Sequence, residues 1–387
     1  MSAPRNPNNL GFSFASVRGY GWSVATNRAV DRCRERLERL GDSSLDRDSI
    51  QHEAIAQLQA VIGFDRWCWP FGDPESRVPT SGAALHDYGP AVGRALELEY
   101  SGRDVATMGD LAGGPNPVGS LSAATGGDLA RSPRWDEVLR PVGIGDEAIV
   151  ACRDTVGCWG WIKAYRDTDD PSFTEQDLEL LGRVGPTLGS ALRRRLGEAG
   201  RDIPPPPRSP GVVVLNNDLR AVSWTAGARE WIDALPLAGL FAAWGILPAV
   251  VYPVAALARS QNDSTGAHAL ERATDGRWVR IEAAPLEGQA DPQIAVTLRA
   301  ATSTEMFDLL CRAYALSRRE REVVSALLGG LDTRAVSARL CISPHTVQDH
   351  LKSIFRKTGA QSRRELLARF SGASDAAPAT PSAPIGA

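Results

Sequence analysis

Four helix-start signals crowd into the stretch from Leu316 to Phe370, and they leave room there for little except short helices. Ser317 with Glu320, Asp332, Ser343 before Pro344, and Ser362 with Glu365 each set a capping oxygen ahead of an apolar-periodic run. Pro344 falls at the first helical position, where its missing N–H is harmless. Gly329-Gly330 and Gly359 follow such runs and can close them with a left-handed residue. The spacing predicts an all-α unit of four helices over about 55 residues.

The third of these helices has two unlike sides. Val347, Leu351, Ile354, Phe355 and Thr358 recur at spacings of three and four, while His345, Gln348, Asp349, Lys352 and Arg356 fall opposite. The apolar side matches Val323, Val324, Leu327 and Leu328 of the first helix, Val336 and Leu340 of the second, and Leu366, Leu367 and Phe370 of the fourth. The polar side suits a major groove, which admits a helix and in which Gln reads adenine and Lys reads guanine. Ser343 and Thr346 at the positive end of the helix suit a phosphate. Asp349 repels phosphate, so it either accepts from a cytosine amine or restrains the helix. Charge is segregated in the same sense. Residues 316–371 hold 11 Lys and Arg against 5 Asp and Glu, whereas the remainder holds 32 against 41. Two of the three lysines in the chain, Lys352 and Lys357, lie on this third helix.

Leu316-Ser-Arg-Arg-Glu-Arg-Glu-Val, Ile342-Ser343-Pro344-x-Thr346-Val347-x-x-His350 and Lys357-Thr358-Gly359…Ser362-Arg363 together resemble the LuxR/GerE-type helix-turn-helix, over residues 314–370. The resemblance implies a transcription regulator that binds double-stranded DNA as a dimer, with the fourth helix contributing to pairing. By position it implies that Thr346 and Arg356 hold the backbone and that Gln348, Asp349 and Lys352 approach bases. Val347 would touch the groove or pack, and His350 would be structural. Ser343, His345 and Lys357 complete the candidate DNA-binding residues. Cys341 stands in the turn where family members often have glycine.

The preceding sequence predicts a multidomain α+β protein. Residues 1–27 read as a flexible arm, 28–40 and 48–61 as helices, Phe64–Pro70 as a strand, and Asp73-Pro74 as a turn. Gly109–Gly127 reads as long loops, and Glu147–Cys152 with Cys158–Tyr165 as a hairpin. Thr174 and Asp177 start a helix that runs to about Leu196. Residues 198–210, with Pro204–Pro207 and Pro210, form a stiff linker. Strands follow at 211–215, 220–224, 278–283 and 294–299, and the Ala-, Pro- and Ser-rich residues 372–387 are too poor in large apolar groups to order themselves.

Residues 28–197 resemble a GAF domain through Phe64-Asp65-x-Trp67-Cys68-Trp69, Asp73-Pro74, Trp159-Gly160-Trp161 and Phe173-Thr174-x-x-Asp177. Such a domain implies an antiparallel sheet with flanking helices that either binds a small effector or mediates pairing. Residues 211–300 resemble a PAS-like α+β unit through the opening strand, the Asn217-Asp218 turn and Asp275-Gly276-Arg277-Trp278. The reader proper is expected over 304–371. Its acidic neighbours are expected to restrain its pairing until an effector binds.

Trp67, Trp69, Trp159 and Trp161 are expected to pack a core rather than line a ligand. The six cysteines lack metal-ligand spacing and are expected as buried free thiols. His52, His86 and His268 are expected as ordinary side chains, so no cofactor is called for. Walker, nucleophile-elbow, His-Glu-x-x-His and Cys-x-x-Cys patterns are missing from the sequence, as are the acidic residues and lysine of a phosphorylated receiver. No enzyme activity is expected. Apolar runs stay below the ~20 residues of a bilayer span, and the N-terminus lacks the order of a signal peptide, so a cytoplasmic protein acting on DNA with RNA polymerase, and not on a membrane, is expected. Two alternatives remain open at this point: a sigma-factor-like promoter-recognition protein, and an adaptor whose helix-turn-helix docks on another protein.

Overall fold

A computed structural model describes residues 27–41, 43, 45–85, 89–196, 209–260, 267–288 and 291–371. The first unit begins with α1 (Asn27–Gly41) and α2 (Arg47–Ile62), then β1 (Arg66–Gly72), β2 (Pro79–Leu85), α3 (Val92–Glu99) and α4 (Met108–Gly113). It continues with β3 (Val118–Ser120), α5 (Leu121–Thr125), β4 (Ile144–Arg153), β5 (Cys158–Asp167) and α6 (Glu175–Leu196). All pairings are antiparallel, in the order β2-β1-β5-β4-β3.

Glycine- and proline-rich residues 109–127 carry α4, β3 and α5, not the long loops their composition predicts. Each element is too short to show a period, but the capping oxygens are legible. Thr107 and Asp110 form a reciprocal capping box, and Ser120 accepts from the Ala123 N–H at 3.2 Å. The Thr174–Asp177 start is as expected, with Asp177 N–H donating to Thr174 Oγ1 at 3.2 Å and Thr174 N–H to Asp177 Oδ2 at 2.9 Å.

Period-2 alternation divides the strands between two interiors. Trp67 and Trp69 of β1, Ala148, Val150 and Cys152 of β4, and Ile162 and Ala164 of β5 join Leu37, Leu58, Leu181 and Leu188 of the helices in one apolar core. Trp159 lies in the same core, and Trp161 is buried on the other side of the sheet, so the four tryptophans pack as expected. The close seat of α6 requires glycine, since a Cβ at Gly189 would lie 2.6 Å from the Cys152 carbonyl oxygen.

The opposite face carries charge. Glu147 of β4 and Lys163 of β5 meet there at 2.9 Å, Lys163 also meets Glu99 of α3 at 2.5 Å, and Arg134 pairs with Glu99 and, at 2.9 Å, with Glu147. Asp104 lies 3.6 Å from Arg134. The side chains of Arg134, Glu99, Asp104 and Glu147 are 0% exposed, and that of Lys163 is 5% exposed. Burial alone would lower the Lys163 pKa, but Glu147 and Glu99 outweigh it and raise it, so the amine stays charged.

The second unit comprises β6 (Gly211–Leu215), β7 (Ala221–Trp224), α7 (Ala226–Ala234), α8 (Ala238–Ala243), α9 (Val251–Ser260), β8 (Ala267–Arg272), β9 (Trp278–Leu286) and β10 (Gln293–Ala300). Its sheet, β7-β6-β10-β9-β8, repeats the connectivity of the first. Its interior is apolar, with Val213, Leu215, Trp231, Val254, Ile281, Val296 and Leu298 buried together. The edge strands β2 and β8 are bridged by side chains. The Glu271 carboxylate accepts from Ser81 N–H at 2.6 Å and Ser81 Oγ at 2.7 Å, and Asp73 accepts from Leu270 N–H at 2.7 Å.

The third unit is all-α: α10 (Ser303–Ala313), α11 (Arg318–Leu328), α12 (Thr333–Leu340), α13 (Pro344–Thr358) and α14 (Arg363–Ser371). The four helices expected from the capping signals are α11 to α14. Among the described residues no helix is long and apolar enough to cross a membrane. The flexible arm (all but Asn27), most of the 198–210 linker, the 372–387 tail and His86 lie outside the described residues.

Removing one member of a fully buried charge network strands its partners, at a cost of about 3–5 kcal/mol. Lys163→Met is expected to destabilise the first unit by that order in urea unfolding followed by tryptophan fluorescence, and adding Glu147→Leu should recover part of the loss. Equal stability of Lys163→Met and the parent would show that the network contributes nothing.

Candidate nucleic-acid interface

Local sequence positions α13 at both ends. Ser343 Oγ accepts from Thr346 N–H at 3.0 Å and meets Thr346 Oγ1 at 2.9 Å, Pro344 occupies the first turn, and Gly359 closes the helix at φ +70°. One side of the helix enters the core, with Val347 and Ile354 at 0% and Leu351 at 7% exposure, against Val323, Val324, Leu327, Val336, Leu366 and Phe370. The other side is open. The side chains of His345, Lys352 and Asp349 are 85%, 74% and 57% exposed, and Gln348 and Arg356 are exposed beside them. The half-buried His350 lies between the two sides.

Asp349 stands 3.8 Å from His345 Nε2 and 3.5 Å from Lys352 Nζ. Exposed pairs at such lengths contribute little, so Lys352 keeps its freedom to reach outward. Arg356 makes one long contact, to Ser353 Oγ at 3.4 Å.

Two of the candidate residues face inward: Val347, in the packing role of the two its position implies, and Lys357, toward α11. Val347 is wholly inside the core, so it packs and cannot touch a groove. Lys357 is engaged within the unit. Its amine donates to Glu320 Oε2 at 2.6 Å and to the Ala315 carbonyl at 3.0 Å, because the last turn of α13 lies over the start of α11. The same Glu320 oxygen accepts from Ser317 N–H at 2.6 Å, closing the α11 capping box. Burial would raise the Glu320 pKa, but hydrogen bonds from Lys357, Ser353 and Ser317 overcome it and hold the carboxyl at about 2.

The turn before α13 rests on a strained residue. Cys341 takes φ 53° and ψ 45°, the left-handed conformation disfavoured for a residue with a Cβ. Neighbouring bonds hold it there: Ile342 N–H donates to Ser337 O at 3.1 Å and Ser337 Oγ to Ile342 O at 2.6 Å. The Cys341 thiol is exposed, unlike the buried Cys33, Cys152, Cys158 and Cys311, and all six cysteines are free. Arg334 and Arg339 on α12 are also exposed, and sequence reasoning had left them out. Their signal was position alone, since the helix preceding a recognition helix crosses the DNA backbone.

Glu320→Gln is expected to cost roughly 1–3 kcal/mol at pH 7, the range for a charge-assisted bond. Because the folded pKa is depressed, this contribution is present above about 4.5, the ordinary glutamate value, and is lost as pH falls through about 2. Thermal melts of the two proteins should therefore converge in acid, and a pH-independent gap would contradict the assignment. Cys341→Gly should stabilise the all-α unit by up to about 1 kcal/mol as left-handed strain is relieved, seen as a raised melting temperature.

Residues 314–370 match the GerE family, bacterial regulatory proteins of the luxR family. A putative HTH-type transcriptional regulator in the exeN 3'region of Aeromonas salmonicida is 38% identical over 88 residues, 21% of this chain and 45% of that protein. The probable HTH-type transcriptional regulator GfsR of Streptomyces halstedii is 29% identical over 191 residues, 49% of this chain and 70% of that protein, a span that necessarily includes sequence outside 314–370. The transcriptional regulatory protein FixJ of Rhizobium meliloti (strain 1021) is 38% identical over 60 residues, 16% of this chain and 29% of that protein. The chain thus spans less than half the length of the first of these relatives. The capped helices, the buried side of α13 and the match over 314–370 together identify the C-terminal module as a luxR-type helix-turn-helix.

Proposed function

We propose that the protein is a cytoplasmic, sequence-specific DNA-binding transcriptional regulator of the one-component kind. Residues 28–197 would be its GAF-like effector or pairing unit, and 211–300 its PAS-like unit. The observation that carries the reading is the open side of α13, where Lys352 is 74% exposed beside Gln348 while Val347, Leu351 and Ile354 are buried behind it. A helix held in this way can enter a major groove with Gln348 and Lys352 toward bases. Thr346 and Arg356 then lie toward phosphates, and the cations of α12 toward the flanking backbone. Asp349, only loosely paired with His345 and Lys352, stays available to accept from a cytosine amine.

In this reading a homodimer sets two copies of α13 in successive major grooves about 34–36 Å apart on an inverted repeat. The exposed positions Arg364 and Ala368 of α14 serve pairing. A small effector acts on the first unit, RNA polymerase is the downstream partner, and the reading assigns no catalytic step.

Selection of random duplexes on the purified protein should yield a symmetric site. For that site Lys352→Ala should weaken binding by about 1–3 kcal/mol, and affinity should fall steeply between 50 and 200 mM salt as counterions are released. Affinity untouched by Lys352→Ala would remove α13 from the groove. Tight binding to a protein partner with a flat salt response would favour the adaptor reading.

A further inference from the structure

Helix α10 belongs to two interiors at once. At 3.6 residues per turn, Glu305, Met306, Leu309, Arg312 and Ala313 share one side, and Phe307, Leu310, Cys311 and Tyr314 share the other. The first side faces the two sheet-bearing units. Met306 and Leu309 are 7% and 5% exposed and pack with Leu270, Leu196 and Trp278, drawn from β8, α6 and β9. Glu305 accepts from Arg299 of β10 at 2.8 and 2.9 Å and lies 3.5 Å from Arg280 of β9. At the far end, Arg193 of α6 donates to the Ala313 carbonyl at 2.8 Å while its Nε holds Asp154 of the β4–β5 turn at 2.7 Å. The second side lies in the reader. Leu310, Cys311 and Tyr314 are part of its core, and the rings of Phe307 and Tyr314 pack at a tilt against Phe370 of α14, with centroids 5.7 and 5.9 Å away.

We propose that α10 is the coupling element by which both sheet-bearing units control the reader, acting on the placement of α14 and not by covering α13. The open face of α13 makes direct masking an inadequate means of control in this conformation. The first unit reaches α10 through Arg193 and Leu196, the second through Arg280, Arg299, Leu270 and Trp278, and a one-piece helix passes either displacement on to Phe370. Close-packed interfaces of this kind change by switching between discrete packings, not by continuous deformation. Phe370 belongs to the same helix as the exposed Arg364 and Ala368, so a shift of α10 that moves α14 alters the surface that meets a second copy. The functional consequence rests on the DNA-binding reading above, whereas the mechanical coupling does not.

The test compares the full chain with Leu309→Ala and Arg193→Gln, by hydrogen exchange and by affinity for the selected duplex. Both substitutions touch α10 from its sheet-facing side. In both, amides of α10 and α14 should exchange faster while those of α11 to α13 keep their protection, and duplex affinity should shift at least about fivefold in either direction. Faster exchange in α10 with α14 unchanged, or an unchanged α10, overturns the coupling. Should Leu309→Ala loosen α11 to α13 as well, Arg193→Gln decides, since its contact with α10 is one backbone carbonyl outside the reader core. Unaltered duplex affinity despite a loosened α14 also overturns the proposed control. Failure to bind any duplex defeats the DNA reading, and the exchange comparison then judges the coupling alone.

Discussion

The Glu320 carboxylate is shared by three parts of the reader. It caps α11, accepts the Lys357 amine from the last turn of α13, and takes a hydrogen bond from Ser353 one turn earlier. A helix can present a polar face to a partner only if its azimuth is fixed, and close apolar packing on its buried side does part of this. A buried carboxylate that must be satisfied from two directions is less forgiving. The orientation of His345, Gln348 and Lys352 is therefore set from the hidden side of the same helix. A cation that appears available in the sequence, Lys357, serves this purpose.

Much of the reader was legible because its signals are local. Capping oxygens at Ser317, Asp332, Ser343 and Ser362, a proline in the first turn and a glycine stop act within four residues of where they stand, and the two sides of α13 follow from one period. The engagement of Lys357 was not legible because its partner is 37 residues away, and Val347 takes the packing role of the two that position alone left open. In the first unit the β4–β5 hairpin was legible from β-rich sequence, whereas α4, β3 and α5 were hidden by their brevity. The pairing of Glu147 and Lys163 with Arg134 and Glu99 had no local signature, since it depends on strand register and on an arm that returns from α3. Cys341 was recognised as an oddity in the turn, and the left-handed backbone it adopts is supplied by Ser337 and Ile342.

The two sheets have the same strand connectivity and different interiors. That of the second unit is aliphatic and aromatic, and its stability rests on area removed from water. The first unit has an apolar core on one face of its sheet and, on the other, five ionisable groups with almost no access to solvent, set among apolar side chains such as Ile149, Ala151 and Trp161. Hydrophobic side chains of similar volume would often be as stable there. The network therefore contributes geometric stringency more than strength: each member is held by partners from α3, β4, β5 and the segment around Arg134.

The bridge between β2 and β8 uses carboxylates where a shared sheet would use a continuous backbone ladder. Each sheet is complete in its own strand pairing up to that edge, so the contact between the two sheets there is made by side chains. The pKa of Glu271 is raised by burial despite the Ser81 bonds. The joint is not carried by that edge alone: Val78, Tyr100 and Trp161 of the first unit lie in one apolar cluster with Tyr252 and Val254 of the second, and Arg259 of α9 reaches Glu97 of α3 at 2.7 Å, so the carboxylates set register at the rim of a shared core.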